Sequence, residues 1–251
     1  MKAILFSFTI LLFSVKCWAF ADTSIANHFK HIIKLVNLDD AKELSKLISY
    51  PLKRKNPLPD ITDSADFILN YKSIFDSSFK NLLRQYNDSD IFEHENNYGL
   101  VGGVFSGEIW IDEDGYILGL ASSKTEEKER EIVTEKIKKQ INSSVNDWNE
   151  NVIVGKSKKL LLRVDRTDKG LRYVCWSNGK TIKDTPDIIL YNGVEEAQGT
   201  QGGWTWTFKN GDWTYVVHDA EICEEFKDCG LFLELSFKDK LKNKIKLTET
   251  K

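Results

Sequence analysis

One hairpin constrains this chain more than any other stretch: residues 202–217, with the sequence GGWTWTFKNGDWTYVV. Two alternating runs flank Asn210-Gly211, a dipeptide suited to a two-residue type I′ turn because both of its residues tolerate positive φ. Such a turn pairs Trp206 with Tyr215 and collects the aromatic side chains on one face of the hairpin. Because a monomer seldom exposes so large an apolar face, the hairpin predicts the core of an all-β unit.

Strand signals dominate the chain from residue 158 onward. Besides the two hairpin arms, the predicted strands are residues 160–164, 171–176, 188–191, 231–237 and a weaker run, 245–247. Turn dipeptides such as Asn178-Gly179 and Asn192-Gly193 separate them. Short strands at these intervals predict a small antiparallel β-sandwich or open barrel over residues 158–251.

The preceding residues 22–121 predict helices followed by a meander of strands. Apolar residues recur at helical spacing over 24–37, 39–48, 63–75 and 78–86, where Thr62-Asp63 caps the third helix. The period then shortens towards two over 98–105, 107–111 and 115–121, which indicates three strands. Residues 122–157 are predicted to form a charged linker helix and a domain boundary. The predicted fold class is therefore α+β.

Several segments also resemble a known family. They are KLVNLDDAKELSKLISYPLK, DITDSADFILNYKSIFDSSFKNLL and GEIWID in the first half, and RYVCW, TPDIILYNG and the hairpin in the second. In this order they are similar to small exported bacterial proteins of unassigned function, with an NTF2-like (SnoaL-type) N-terminal domain and a small C-terminal β-domain. The resemblance implies an NTF2-like cone, a fold that hosts enzymes, binding modules and assembly factors alike.

The first residues, 1–21, have the order of a cleavable signal peptide. The apolar run 3–15 precedes Ala19-Phe20-Ala21, so that the mature chain is expected to begin at Asp22. A lipid anchor on Cys17 is the competing interpretation, but Lys16 stands where a lipobox has a small residue. No later stretch approaches the roughly 20 apolar residues of a membrane span. We therefore expect an exported protein, periplasmic or secreted, with no transmembrane segment after cleavage.

The charge balance argues against one class of partner. The 35 Lys and Arg residues face 38 Asp and Glu residues, which gives a net charge of −3. The lysines are interleaved with acids nearly everywhere, whereas proteins that bind nucleic acid concentrate basic residues on one face. We therefore predict no nucleic-acid partner.

Three cysteines remain after cleavage of the signal peptide: Cys175, Cys223 and Cys229. An oxidising compartment favours pairing, and Cys223 with Cys229 would close a small loop. Pairing of Cys175 with either of the other two stays open from sequence alone. The four histidines have no ligand spacing with these cysteines, so no metal and no cofactor are predicted.

Sequence motifs of catalysis are absent, including G-x-S-x-G, the P-loop and H-E-x-x-H. An NTF2-like enzyme needs only one or two acids inside its cone, where burial raises the pKa of a carboxyl group. The catalytic candidates are Glu108 and Asp66, and the candidate pocket residues are Tyr50, Tyr71 and Trp110. Alternation places Glu108 and Trp110 on one side of their strand. The competing interpretation, which the rarity of buried unpaired glutamate favours, is a core tryptophan beside a surface charge.

These observations favour a non-catalytic exported protein that binds another protein or an envelope component, and an immunity or inhibitor role fits this build. One alternative is a pocket enzyme acting on a small molecule or glycan, with Glu108 or Asp66 as acid or base. Another is a glycan-binding module that uses Trp204, Trp206 and Trp213, since tryptophan rings stack on sugars.

Overall fold

Helices precede strands in the first half of the chain. The computed structural model describes residues 23–94, 96–102, 105–198, 203–220, 223 and 225–251, and the predicted signal peptide lies outside them. The helices are α1 (Thr23–Asn37), α2 (Ala41–Leu44), α3 (Ser64–Ile74), α4 (Ser77–Leu83) and, after the first four strands, α5 (Lys124–Lys138). Three begin at aspartate caps: Asp40 accepts from the N–H of Glu43, Asp63 from that of Asp66, and Asp76 from that of Phe79.

The first four strands form an antiparallel sheet in chain order. They are β1 (Ile91–His94), β2 (Asn97–Gly102), β3 (Phe105–Ile111) and β4 (Ile117–Leu120). Its inner face packs against the helices in one core, to which β3 contributes Ile109 and Ile111 and α1 contributes Phe29. Strand β1 was missed from sequence because its IFEH run is short and follows a polar loop. The mixed α+β class is confirmed, whereas the NTF2-like identity stays a prediction.

The second half is a closed antiparallel barrel of eight strands. They are β5 (Glu150–Lys156), β6 (Leu160–Thr167), β7 (Gly170–Ser177), β8 (Ile188–Ala197), β9 (Trp204–Asn210), β10 (Trp213–Ala220), β11 (Gly230–Phe237) and β12 (Lys240–Glu249). Each strand pairs with the next along the chain, and β12 returns to β5. The sequence predicted a sandwich or open barrel. The barrel closes because β5, which lies inside the predicted boundary segment, supplies the missing edge partner.

The aromatic hairpin forms β9 and β10, and its inner face fills the barrel. Trp206, Phe208 and Val217 are buried there, as the sequence predicted. The predicted register is wrong, because Trp206 lies opposite Val217 and not opposite Tyr215. The turn residues are Gly211 and Asp212, and Gly211 takes positive φ at the first turn position, as in a type II′ turn.

A buried charge cluster fastens the linker to the outside of the barrel. Asp165 on β6 is fully buried and accepts from Asn151 at 2.9 Å, from Arg163 at 2.8 Å and from Arg172 at 3.2 Å. Arg172 also donates to the carbonyl of Val145 in the linker at 2.8 Å. Because charges removed from water are costly without partners, this cluster makes the barrel depend on the linker that covers it.

Residues 50–61 connect the helical part to the closing seam of the barrel. The side chain of Asn56 donates to the carbonyl of Val152 on β5 at 2.8 Å. The ammonium group of Lys53 lies 3.3 Å from the carboxylates of both Asp60 and Glu249, the latter at the end of β12. The two halves of the chain therefore meet at the strand pair that closes the barrel.

Candidate functional site

Two of the five residues predicted to line a cone pocket, Glu108 and Trp110, lie on β3. Ile109 and Ile111 point into the helix-packed core, so alternation directs Glu108 and Trp110 to the opposite face of β3. Glu108 is buried, at 7% exposure. The ring of Trp110 covers the backbone of Gly99 so closely that a Cβ there would lie 2.7 Å away.

The other three candidates lie among the helices, where local hydrogen bonds engage them. The Tyr71 hydroxyl donates to the carbonyl of Val36 at 3.1 Å, and burial raises the pKa of this tyrosine, with a further contribution from Asp39. The Tyr50 hydroxyl donates to a carbonyl of the short helical turn before it, that of Ser45, at 2.9 Å.

Asp66 serves the first turn of α3. One of its carboxylate oxygens accepts from the N–H of Thr62 at 3.1 Å, and the other accepts from the side chain of Asn70 at 3.0 Å. These bonds give the carboxylate a local structural role at the helix start. The catalytic roles of Asp66 and Glu108 stay predictions.

A cavity of about 420 Å³ lies where residues 52–55 meet the start of α5. Arg54 and Glu126 form an ion pair of 2.8 Å at its wall, and both side chains are buried. Burial raises the pKa of Glu126, although the charge of Arg54 opposes this shift. Because the cationic side chains here are paired with acids, the cavity carries little unbalanced charge to attract a ligand.

A groove on the helical side exposes apolar side chains. It runs over α3, where Leu69 is 84% exposed and Ile68 is 43% exposed, next to the ion pair between Lys80 and Asp39. Nothing in the described residues indicates what covers this groove.

The disulfide predicted between Cys223 and Cys229 is present, and it closes a loop just before β11. Cys175 is a free thiol buried in the barrel, and burial raises its pKa. A buried thiol with a raised pKa is a poor nucleophile, so Cys175 contributes packing and not reactivity. The described residues contain no group of three or more His, Cys, Asp or Glu side chains that could hold a metal ion.

One edge of the barrel carries a concentration of lysines that was not predicted from the sequence. We name it the lysine patch and define it as Lys156, Lys158, Lys159, Lys240, Lys242, Lys244 and Lys246, all of them exposed. Part of it was visible in KDKLKNKIK, residues 238–246, which has five lysines and one acid on a chain of net charge −3. These lysines were not predicted to share one surface, because only residues 245–247 were predicted to form a strand.

Five lysines of the patch, all except Lys240 and Lys242, line a notch of about 590 Å³. One wall is β12 from Asn243 to Thr248, and the other is the turn that joins β5 to β6. Across the part of the chain that the structure describes, five of the seven ammonium groups have neither an ion pair within 4.0 Å nor a hydrogen bond. These five belong to Lys156, Lys158, Lys159, Lys240 and Lys242.

The other two lysines are held in place on the outer face of the barrel. The ammonium group of Lys244 lies 3.0 Å from the carboxylate of Glu234 and 4.7 Å from the ring centre of Phe232. That of Lys246 lies 5.4 Å from the same ring and donates to the carbonyl of Lys227 at 3.1 Å. Both ammonium groups thus lie over the ring of Phe232 and have a second partner, so two positive charges of the patch are held in place.

Trp204, Trp206 and Trp213, the residues predicted to stack on a glycan, do not form a flat row. Trp206 is buried and donates to Glu195 at 2.8 Å. Trp204 and Trp213 are 44% and 38% exposed, but they lie at opposite ends of the hairpin.

We found no protein-family model, no curated protein and no solved structure that matches this chain. None of the described helices combines the length and the apolar composition that a membrane span requires.

Proposed function

We propose that this protein is an exported, non-catalytic binding protein and that it engages a protein partner through the lysine patch. The single observation that carries the proposal is the patch itself, a cluster of exposed lysines around a 590 Å³ notch on a net acidic chain. Charges of one sign that line a concave surface concentrate a partner of the opposite sign and accelerate its association.

The packing of the barrel supports a role at the surface. Its interior is filled by buried side chains, among them Tyr173, Phe208 and Val217. An eight-stranded barrel is just wide enough for side chains to fill it, or else it holds one small ligand. The filled interior favours the first case, so the barrel serves as a rigid support for its outer surface.

The proposal of export rests on the predicted signal peptide and gains support from the disulfide. The bond between Cys223 and Cys229 would persist in an oxidising compartment and would be reduced in most cytosols. An immunity or inhibitor role is the form of binding that we favour, because such a protein needs a rigid surface and no catalytic group.

The enzymatic alternative lacks comparable support. The Tyr71 hydroxyl and the Asp66 carboxylate both have hydrogen-bond partners, and Glu108 is on the sheet face opposite the helices. It remains testable, because Glu108→Gln should abolish turnover if Glu108 is the acid or base.

The test is a comparative capture experiment on the mature chain, residues 22–251. The chain is cross-linked in envelope extract, and the captured proteins are identified by mass spectrometry and then purified. The patch variant reverses four charges, with Lys158, Lys159, Lys244 and Lys246 changed to Glu. The matched control reverses four exposed helical lysines, with Lys34, Lys42, Lys128 and Lys136 changed to Glu.

We expect one purified partner to bind the wild type and the control alike, and to bind the patch variant at least about tenfold more weakly. The proposal fails if the patch and control variants bind equally well, or if no captured protein binds again after purification.

A further inference from the structure

Strand β12 has an open edge for most of its length. It pairs with β5 only through Thr248 and Glu249, whereas its pairing with β11 extends back to Lys240. Among the strands that the structure describes, residues 240–247 therefore have a neighbour on one side only. An edge of this kind presents unpaired backbone groups on which another extended segment can pair.

The hydrogen bonds at the seam show which residues face the open side. The N–H of Thr250 donates to the carbonyl of Val154, so residue 250 directs its backbone groups toward β5. In an antiparallel strand the backbone groups of every second residue point to the same side. Those of Thr248, Lys246 and Lys244 therefore also point to the side of β5. Thr248 has Lys156 opposite it, but β5 ends there. The backbone groups of Lys244 and Lys246 therefore point into the notch.

The charge of the edge indicates what can occupy it. Lys244 and Lys246 direct their side chains to the outer face, and Lys158 and Lys159 stand on the opposite wall of the notch. A second copy of this chain would place lysines opposite lysines, and like charges directly opposite on neighbouring strands are destabilising. An extended segment with acidic side chains matches both the charges and the open backbone.

We propose that the open edge of β12 accepts an acidic, extended segment of the protein partner as an added antiparallel or parallel strand. This inference rests on the proposed function. Residues of the segment beside Lys244 and Lys246 lie two apart and carry carboxylates on the outer face. A residue further along lies beside Leu241, whose side chain is 57% exposed, and is apolar. Main-chain hydrogen bonds then supply affinity, and the alternating side chains supply specificity.

Synthetic peptides separate strand addition from simple charge attraction. The probe is a nine-residue peptide with glutamates at two alternate positions, threonine between them and leucine at one end. The first control is the same peptide with alternate backbone nitrogens methylated, which keeps the charge and removes donors. The second control has the same composition in scrambled order. Binding to the full mature chain is measured by fluorescence anisotropy.

We expect the alternating peptide to bind, and we expect backbone methylation and the double variant Lys244→Glu with Lys246→Glu each to weaken binding at least about tenfold. Equal binding of all three peptides, or binding of none, overturns strand addition. Tighter binding to anionic phosphatidylglycerol vesicles than to any peptide also overturns it, and assigns the edge to a lipid surface. If the patch variant loses the captured partner but any of these results is obtained, the proposed function is supported and only strand addition at β12 is refuted.

Discussion

Asp165→Ala should destabilise the barrel more than a change at any surface ion pair of this chain. The substitution removes the acceptor shared by Asn151, Arg163 and Arg172, whose side chains lie 2.8 to 3.2 Å from the carboxylate. Both arginines are buried, at 3% and 0% exposure. Breaking a buried ion pair from one side typically costs about 3 to 5 kcal/mol, because a charge is left buried without compensation.

Arg172 keeps the carbonyl of Val145 and the carboxylate of Asp147, which holds the expected loss within that range. For a chain of this size, about 3 to 5 kcal/mol corresponds to a fall in Tm of roughly 6 to 20 °C. The assay is urea unfolding followed by tryptophan fluorescence, with a thermal scan as the second measurement. Asp165→Asn separates the loss of the negative charge from the loss of the hydrogen-bond acceptor, since asparagine keeps an acceptor oxygen and carries no charge.

The matched control is Glu150→Ala, on the strand beside β6. Glu150 also pairs with an arginine, Arg166, at 3.0 Å, but the two side chains are 47% and 44% exposed. Exposed pairs contribute about 0 to 1 kcal/mol. If Asp165→Ala costs no more than Glu150→Ala, the cluster does not hold the linker on the barrel and the reasoning is refuted.

Four further predictions test the core, one helix cap, the disulfide and the buried thiol. Trp206→Ala should cost about 3 to 5 kcal/mol of unfolding free energy and Trp213→Ala clearly less, since only the first ring is buried; a stable Trp206 variant that had merely lost glycan binding would contradict this. Burial raises the pKa of Asp76, but hydrogen bonds to its carboxylate outweigh this and lower it from 3.8 to about 2. The folded state therefore binds its proton less readily than the unfolded chain, so the contribution is full above pH 3.8 and is lost as the pH falls toward 2. Asp76→Asn should flatten the stability profile across that window, and an unchanged slope in acid titration would refute the assignment. Changing Cys223 to Ser should cost about 2 kcal/mol for so short a loop. A thiol-reactive dye should label Cys175 of the wild type only after unfolding, and rapid labelling of the folded chain would contradict its burial.

For the aromatic hairpin, the sequence pattern predicts the face on which each side chain lies but not the register of the two strands. Alternation predicted the inward face, on which Trp206, Phe208 and Tyr215 are buried, whereas Trp204 and Trp213 at its two ends are exposed. The register was wrong because Asn210-Gly211 and Gly211-Asp212 are both acceptable two-residue turns. The partner of each residue moved by two positions, and a shift of two keeps every side chain on its face. The face was therefore predictable where the pairing was not.

Barrel closure and the open edge could not be predicted from the sequence, because both depend on pairing between strands that are distant along the chain. Strand β5 carries Asn151 and Gly155 among apolar residues, a composition typical of a boundary segment. In strand β12 the polar Asn243 interrupts the alternation of lysines with apolar residues, and the conformation of its first half comes from pairing with β11. Both strands are fixed by long-range partners, which local pattern does not reveal.

The candidate pocket residues illustrate the same limit within the helical half. Sequence alternation predicted that Glu108 and Trp110 share one side of β3, but it could not say which side faced the helices. That choice depends on Ile109 and Ile111, which pack against α1 and α3 residues far away in the sequence.

Hydrogen exchange at the edge of β12 shows whether the partner pairs with this strand. The exchange rates of the backbone amides of Lys244 and Lys246 are measured in the full mature chain, alone and with the purified partner. Our account predicts that both amides exchange at least about tenfold more slowly in the complex, while the amide of Thr248, already paired with β5, changes little. Protection confined to the exposed groove over α3, with Lys244 and Lys246 unchanged, would contradict it.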